Sequence, residues 1–175
     1  MCTLAFADQT IAVSAIGTAE VTPAGTRFPL PYDSALTERV YSAPYHGDLV
    51  VIFDVSNGED GWGGIVRLQP PDFRVVWHVR IPTFNVGPGT IDGSSLYVTA
   101  IGFVARVDLE GGRYLWQHND LYDRSSGAFN MFLVPLVTRS EALFYEDLGM
   151  PAAQRTPKLV RVQKDSGSFV IEDSE

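Results

Sequence analysis

The sequence has few of the residues that hold metal ions or cross-link a chain. It contains a single cysteine, Cys2, and three histidines, His46, His78 and His118. One cysteine excludes a disulfide within the chain, and histidines so far apart lack the close spacing of common zinc motifs. We therefore predict that the protein holds no metal ion and that its fold depends on an ordinary hydrophobic core.

Short catalytic motifs are also missing. The chain has no G-x-S-x-G, no H-E-x-x-H, no C-x-x-C and no glycine-rich phosphate loop after a strand. The adjacent acids Glu59-Asp60 and Glu146-Asp147 would suit glycosidase chemistry only if folding held them about 5 to 10 Å apart. Adjacent acids more often belong to a solvated loop, so we predict a protein that is not an enzyme and needs no cofactor.

Basic residues are in the minority. There are 13 lysines and arginines against 21 aspartates and glutamates, which gives a net charge of −8. Nucleic acids and anionic membranes attract basic surfaces, so neither is expected as a partner, and no apolar run is long enough to span a bilayer. The charge favours a basic protein as the partner, while it says nothing about the oligomeric state.

One stretch of the chain recurs twice in degraded form. Residues 103–116 predict a strand, a tight turn at Gly111-Gly112 and a returning strand that ends at Trp116. Ten residues separate an arginine from the last aromatic or apolar position in every copy, and the pairs are Arg67 and Trp77, Arg106 and Trp116, and Arg161 and Ile171. Each copy follows a turn with proline and a short apolar strand. Each repeat therefore holds three or four strands in roughly 40 to 50 residues, the size of a propeller blade.

The middle copy resembles the blade motif of PQQ-like β-propeller repeats. In that motif an aspartate is followed four residues later by the turn glycine and eight residues later by a docking tryptophan. Asp108, Gly112 and Trp116 match these positions, while Gly111 replaces the usual threonine. The resemblance covers roughly residues 44–175.

The other two copies depart further from the motif. The first copy has Gln69 for the aspartate and Phe73 for the glycine, and the third has Gln163 for the aspartate. The resemblance implies a fold and little about activity. Quinone-dependent enzymes of that family need more blades than these copies supply, whereas its non-enzymatic scaffold proteins of the bacterial envelope are more similar to this chain.

We predict an all-β fold, a small propeller-like assembly of three or four antiparallel blades in a single domain over residues 10–175. A twisted β-sandwich or a partly open barrel stays open as the alternative, because three clear repeats need not close a ring. Residues 10–21 alternate between apolar and polar types and predict one strand, which we expect to pair with the last blade and complete it.

Residues 1–9 predict either a disordered terminus or the remnant of a signal peptide. Ala5-Phe6-Ala7 has the small-x-small pattern that precedes a signal cleavage site. If residues 1–9 are the remnant of a signal peptide, the protein is expected in the periplasm or elsewhere outside the cytoplasm. If they are not, it is expected in the cytoplasm.

The repeated tryptophans and arginines have structural and functional interpretations. We expect Trp77 and Trp116 to pack between blades. Arg67, Arg106 and Arg161 share a register, so they either pair with acids of nearby loops or form a ring around a central channel.

Functional expectations rest on acidic loops and aromatic residues. Residues 54–64 predict a long acidic hairpin loop, residues 22–34 a proline-rich loop, and residues 146–157 an inserted surface loop. A calcium loop over residues 54–65 fits poorly, because Ile65 stands where a bidentate glutamate belongs. The candidate partner-binding residues are Trp62, Glu59, Asp60, Phe28, Tyr32, Glu146 and Asp147.

We predict from these features a non-enzymatic protein-binding module, either an inhibitor or immunity protein or an assembly scaffold of the envelope. The alternative is a module that binds a carbohydrate or another small ligand. A hydrolase is the next alternative after that. Stacking of sugars on Trp62 and Phe28 would favour the alternative, and a broad acidic patch would favour a protein partner.

Overall fold

In a computed structural model of the protein we describe residues 2–6, 9–13, 18–22, 26–29, 36–56, 61–121, 131–148 and 156–173. For residues 2–38, 55 and 56 the description covers the backbone only. Within these ranges the secondary structure consists of seventeen β-strands, which form four antiparallel sheets. The prediction of an all-β fold is confirmed.

The strands follow one another in chain order within each sheet. The first sheet contains β1 (Cys2–Phe6), β2 (Gln9–Val13), β3 (Thr18–Thr22) and β4 (Thr26–Pro29). The second contains β5 (Leu36–Tyr45), β6 (Asp48–Ser56), β7 (Gly61–Gln69) and β8 (Arg74–Ile81). The third contains β9 (Thr90–Asp92), β10 (Ser95–Ala100), β11 (Phe103–Asp108) and β12 (Arg113–His118). The fourth contains β13 (Met131–Phe132), β14 (Leu136–Val137), β15 (Glu141–Asp147), β16 (Lys158–Gln163) and β17 (Phe169–Asp173), and both β13 and β14 pair with β15.

The chain divides into two compact units, Met1–Phe84 and Asn85–Glu175. The first unit holds the first two sheets, and β1 contacts β5 within it. The second unit holds the last two sheets, where β9 contacts β14 and β10 contacts β13. The prediction of a single domain over residues 10–175 stays a prediction. No helix in the described ranges is long and apolar enough to cross a membrane.

The N-terminal segment forms a sheet of its own. Residues 10–21 were expected as one strand of the last blade, and this prediction is wrong. They belong to β2 and β3, and β3 pairs with β4 inside the segment expected as a proline-rich loop. Pairing across short connections costs less loop-closure entropy than pairing with a strand about 150 residues away, which explains the difference.

The acidic loop predicted over residues 54–64 is shorter than expected because strands extend into it from both sides. β6 continues to Ser56 and β7 begins at Gly61, so Asp54 and Trp62 lie in paired strands. Asp54 is buried and accepts a hydrogen bond from the backbone N–H of Arg39 at 2.7 Å. Its carboxylate is therefore a structural group of the second sheet, which removes a potential ligand from the calcium loop weighed above.

The tight turns of the repeats share one geometry. Gly112 N–H donates to the carbonyl of Asp108 at 2.9 Å, and Gly167 N–H donates to the carbonyl of Gln163 at the same distance. Both glycines have positive φ, at 60° and 71°. Phe73 stands at the matching position of the first copy and also has positive φ, 52°, although it is not a glycine. Its side chain is fully buried, and this burial offsets the cost of about 1 kcal/mol for a left-handed backbone.

Candidate functional site

The three repeated arginines make equivalent contacts in their own sheets. Arg67 Nε donates to Asp48 Oδ2 at 2.6 Å, Arg106 Nε donates to Ser95 Oγ at 2.9 Å, and Arg161 Nη2 donates to Glu141 Oε2 at 2.8 Å. Each partner is the first residue of the second strand in its repeat, β6, β10 or β15. Arg67 and Arg161 thus pair with acids of strands, and Arg106 pairs with a serine of a strand, whereas acids of nearby loops were expected as the partners.

The cross-strand register corrects the position assigned to the last tryptophan equivalent. Arg67 pairs with Trp77 and Arg106 pairs with Trp116, and a β-bulge follows the arginine in both sheets. Arg161 pairs with Val170, because the fourth sheet has no bulge at that point. Counting residues placed Ile171 at the tryptophan position, whereas the structure places Val170 there.

Trp116 joins the third and fourth sheets. Its indole N–H donates to the carbonyl of Lys164 at 2.9 Å, and Arg106 Nη1 donates to the same oxygen at 2.6 Å. A Cβ built on Gly167 would lie 2.8 Å from the Cβ of Trp116, so only a glycine fits beneath the ring. The ring also packs edge-on against Phe144. The packing role predicted for Trp116 is confirmed.

Trp62 lies at the start of β7, next to the connection that contains Glu59 and Asp60. Its ring is half-buried. The centroid of the Phe53 ring is 5.9 Å away in a T-shaped arrangement, and the guanidinium carbon of Arg80 lies 5.0 Å from the ring centroid. The aromatic ring is therefore held in one orientation by two neighbours of its own sheet.

Four of the predicted partner-binding residues lie outside the described side chains. Glu59, Asp60 and Tyr32 are not among the described residues, and Phe28 is described only by its backbone in β4. Their role stays a prediction, and so does the contact between Trp62 and Phe28 that would favour sugar stacking.

Glu146 and Asp147 are strand residues, although they were expected in a surface loop. Glu146 is only 4% exposed, and its Oε2 accepts a hydrogen bond from the backbone N–H of Lys158 at 3.0 Å. This carboxylate satisfies a backbone donor inside the fourth sheet, so we leave Glu146 out of the candidate binding surface. Asp147 is exposed at the end of β15.

Comparison with known proteins supports the architecture. No protein-family profile matches the chain, and no curated protein matches its sequence. Among solved structures it is similar to a quinohemoprotein alcohol dehydrogenase from Pseudomonas putida, with a TM-score of 0.53 and 12% identity. The fold is β-propeller-like. The match covers 73% of this chain and 19% of the enzyme's chain, so the protein spans about a fifth of that structure, and at this identity the likeness concerns the fold alone.

The propeller-like fold confirms the predicted fold class. We call each of the four sheets a blade, numbered in chain order, so the fourth sheet is the last blade. The segment Phe103–Trp116 belongs to the third blade, where β10 is buried along its whole length. Both faces of that strand are therefore covered, as its apolar run Leu96-Tyr97-Val98 requires.

The last blade differs, because only one of its faces is covered. On β15 and β16 the alternating residues Ala142, Phe144, Val160 and Val162 are buried against Trp116 and Tyr97 of the third blade. The opposite face, which we call the terminal face, consists of Met131, Leu136, Glu141, Leu143, Tyr145, Asp147, Leu159, Arg161, Gln163, Val170 and Glu172. Leu136 is 55% exposed and Val170 is 54% exposed.

The terminal face was not found by the sequence analysis. A signal was present in the third copy, where an apolar residue replaces the tryptophan and β17 begins with the run Phe169-Val170-Ile171. Three carboxylates and one guanidinium give the face a net charge of −2: those of Glu141, Asp147 and Glu172, and that of Arg161. The face is thus apolar with an acidic border.

The described polar groups offer little for chemistry. No group of three or more histidines, cysteines, aspartates and glutamates among the described residues could hold a metal ion. Tyr97 Oη and Thr99 Oγ1 are buried without a hydrogen-bond partner in the described part of the chain. Burial raises the pKa of the Tyr97 phenol above its ordinary value, so the group stays protonated at neutral pH.

Proposed function

We propose that the protein is a non-enzymatic binding module that recognises a basic protein partner through Trp62 and the acidic connection before it. The observation that carries this proposal is the fixed orientation of Trp62, which is half-buried between Phe53 and Arg80 and follows Glu59 and Asp60 after one glycine. A tryptophan that is already ordered loses little conformational entropy on binding, and such residues are common anchors of protein interfaces.

Electrostatics supports a basic partner. The net charge of −8 attracts a basic protein over a distance of about 8 to 10 Å at physiological salt, the Debye length. Glu59 and Asp60 beside an aromatic anchor would add local complementarity at the contact. An inhibitor or immunity protein and an assembly scaffold of the envelope both fit this mode of binding, and a periplasmic or extracytoplasmic location belongs to the proposal.

The non-enzymatic part of the proposal is supported by how the polar residues are used. Asp48, Glu141 and Glu146 neutralise arginines or cap backbone groups inside their blades. A residue engaged in this way would have to give up a structural contact before it could act on a substrate.

We further propose that the blades share the sequence motif of PQQ-like repeats as well as their architecture. The support comes from Asp108, whose Oδ1 accepts a hydrogen bond from the Glu110 N–H at 3.1 Å and whose carbonyl accepts one from Gly112. Together with the docked Trp116, this gives each residue of the Asp108, Gly112 and Trp116 motif a structural reason for its spacing.

The test compares capture by three forms of the immobilised protein. Wild type, Trp62→Ala and Val76→Ala would be exposed to an envelope extract of the native source at moderate salt. Val76 is a matched control, because it is exposed on β8 of the same sheet. We expect a basic protein that wild type and Val76→Ala retain in stoichiometric amount and that Trp62→Ala loses.

Two other results would contradict the proposal. A protein retained equally by all three forms would mean that Trp62 is not the anchor. Quenching of tryptophan fluorescence by soluble oligosaccharides, lost in Trp62→Ala, would favour the carbohydrate-binding alternative. Arg80 already lies over the Trp62 ring, so a sugar would have to use the other face or displace the guanidinium.

A further inference from the structure

Strand β17 forms an open sheet edge that begins with an apolar run. Among the described strands it pairs only with β16. Phe169, Val170 and Ile171 follow one another in this strand, and each is at least 37% exposed. Strands at open edges usually have charged residues that discourage pairing with another chain. The edge strands β8 and β12 each begin with an exposed arginine, Arg74 and Arg113, whereas β17 begins with three apolar residues.

The backbone of β17 has hydrogen-bonding groups on its open side. The N–H of Gln163 donates to the carbonyl of Ser168 at 2.8 Å, which starts the ladder between β16 and β17. Bonded and non-bonded pairs alternate in an antiparallel ladder, so Val170 is the next residue of β17 that bonds to β16. The N–H and C=O groups of Phe169 and Ile171 therefore point to the side on which no described strand lies.

The hairpin before β17 is held in place by the third blade. His118 Nε2 donates to the carbonyl of Gly167 at 2.8 Å, and the centroid of its ring lies 4.4 Å from that of Phe169. Gly167 lies beneath the ring of Trp116. A strand that is already ordered loses little conformational entropy when it pairs with another strand.

The acidic residues of β17 are neutralised within the chain. Lys158 Nζ lies 3.1 Å from Asp173 Oδ1, and Arg161 Nη1 lies 3.6 Å from Glu172 Oε2. Both ion pairs join β16 to β17. Repulsion between two such edges is therefore weaker than it would be if the carboxylates were unpaired. A second copy can approach this edge although the whole chain carries a net charge of −8.

We propose that β17 pairs with β17 of a second copy in antiparallel orientation, with a two-fold axis between the two Val170 residues. In this register Phe169 lies opposite Ile171 of the other copy, so every residue of the apolar run faces an apolar residue. These two residues also have the outward backbone groups, so they form the hydrogen-bonded pairs. Glu172 lies opposite Ser168, and no two acids face each other. The contact is isologous and closes as a dimer.

Another register is less favourable. A two-fold axis at Ile171 would place Val170 opposite Glu172 and Phe169 opposite Asp173, so that an apolar residue would face an acid in each of these pairs. The sequence of β17 is thus complementary to itself about Val170. This self-complementarity favours a second copy as the occupant of the edge over an unrelated strand.

Sedimentation velocity over a concentration series tests the association. We expect wild type to dimerise and Ile171→Pro to raise the dissociation constant by at least about tenfold, because proline removes an outward N–H and no bond to β16. Ile171→Thr keeps that N–H and should raise the dissociation constant less. A wild type that is monomeric at every concentration, or equal effects of the two variants, overturns the proposal. Urea titration would check that both variants are folded.

Two charge variants test the two-fold axis. Val170→Glu and Val170→Lys should each be monomeric at concentrations where wild type dimerises, since like charges would face each other. An equimolar mixture of the two should associate again, because a carboxylate then faces an ammonium group. Val76→Glu and Val76→Lys change an exposed residue of β8 and should dimerise as wild type does. A mixture that stays monomeric overturns the proposal.

A cysteine variant tests the register with little change in side-chain volume. The Cα atoms of a non-hydrogen-bonded antiparallel pair lie about 4.5 Å apart, which a disulfide can span. With Cys2→Ser as the background, Val170→Cys should form a linked dimer under mild oxidation and Val76→Cys should not. A linked dimer of Val76→Cys alone, or none from either variant, overturns the proposal. The proposal is independent of the proposed function, since Trp62 is unchanged and no partner protein is present.

Discussion

At the scale of single residues, Trp116 shows how one side chain joins two sheets. Its indole N–H reaches the Lys164 carbonyl, and its ring covers Gly167, which leaves no space for a Cβ. His118 adds a second contact to the same hairpin, with Nε2 donating to the Gly167 carbonyl at 2.8 Å. The hairpin is thus held by polar contacts in addition to apolar burial.

Replacement of Trp116 separates these contributions. Trp116→Phe keeps an aromatic ring but loses the hydrogen bond, and we expect it to lower the free energy of unfolding by about 1 to 2 kcal/mol. Trp116→Ala also leaves a cavity beside Phe144, and we expect a loss of about 3 to 5 kcal/mol. Urea denaturation followed by circular dichroism would measure both. Leu115→Ala is the control, since that neighbour is 45% exposed and should change stability by less than about 0.5 kcal/mol.

The repeated arginines should contribute differently to the free energy of unfolding, although each contacts the first residue of the neighbouring strand. Asp48 is buried, so Arg67→Met leaves a charged carboxylate without its partner, and we expect a loss of about 3 kcal/mol. Arg161 is partly exposed, so solvent screens its ion pair with Glu141, and Arg161→Met should lower the free energy of unfolding clearly less than Arg67→Met. Adding Asp48→Asn to Arg67→Met should recover part of the loss in a urea titration. Equal losses for the two single variants would contradict this ranking.

At the scale of elements, β12 contains a tyrosine that makes the third blade sensitive to alkali. Tyr114 packs edge-on against Phe103, with 6.0 Å between the ring centroids. Burial of the phenol raises the pKa of Tyr114 far above the ordinary value of 10.0. The cause is loss of solvation, because the charged phenolate is disfavoured in an apolar environment.

The raised pKa predicts a loss of stability at high pH. Above pH 10.0 the unfolded chain releases the Tyr114 proton while the folded chain retains it, so stability falls as pH rises. The slope is at most about 1.4 kcal/mol per pH unit for each such tyrosine. Tyr114→Phe should flatten the decline between pH 10 and 11.5 in urea titrations, and adding Tyr97→Phe should flatten it further. An unchanged slope in Tyr114→Phe would show that other groups control alkaline unfolding.

Element by element, the repeats were the part of the fold that the sequence predicted best. The spacing of Arg106, Gly112 and Trp116 is local, so it identified the strands, the turn and the packing residue correctly. The register of the last blade was missed because a β-bulge adds one residue, Leu115, to the strand that pairs with Arg106, whereas the strand that pairs with Arg161 has no bulge. Bulges leave no reliable pattern in one sequence. The burial of Glu146 was missed for a related reason, since it depends on a hydrogen bond from the backbone N–H of Lys158, twelve residues away.

The candidate site was less predictable than the fold. Trp62 could be singled out from its glycine neighbours, but its contacts with Phe53 and Arg80 depend on the pairing of β6, β7 and β8. The terminal face could not be found from composition, because its residues alternate with buried ones along strands that look equally apolar. Exposure of one face is a property of how sheets stack, and only the structure shows it.

At the scale of the whole molecule, the chain consists of two compact units with separate arrangements of sheets. The second unit has a continuous core in which Tyr97, Val104 and Trp116 of the third blade meet Phe144, Val160 and Val162 of the last blade. This core connects the two sheets without help from the first unit. Domains of about 60 residues or more can fold alone when they bury such a core.

We therefore expect residues 85–175 to fold when they are produced alone. The fragment should show a cooperative urea transition and a near-ultraviolet circular dichroism band from its one tryptophan, Trp116, because the contacts with Lys164 and Gly167 lie inside it. The same fragment with Trp116→Ala should lose the cooperative transition, while Leu115→Ala should keep it. A fragment without tertiary circular dichroism would show that the second unit needs the first for its stability, because the buried face of its two sheets would then be too small to offset the entropy of folding.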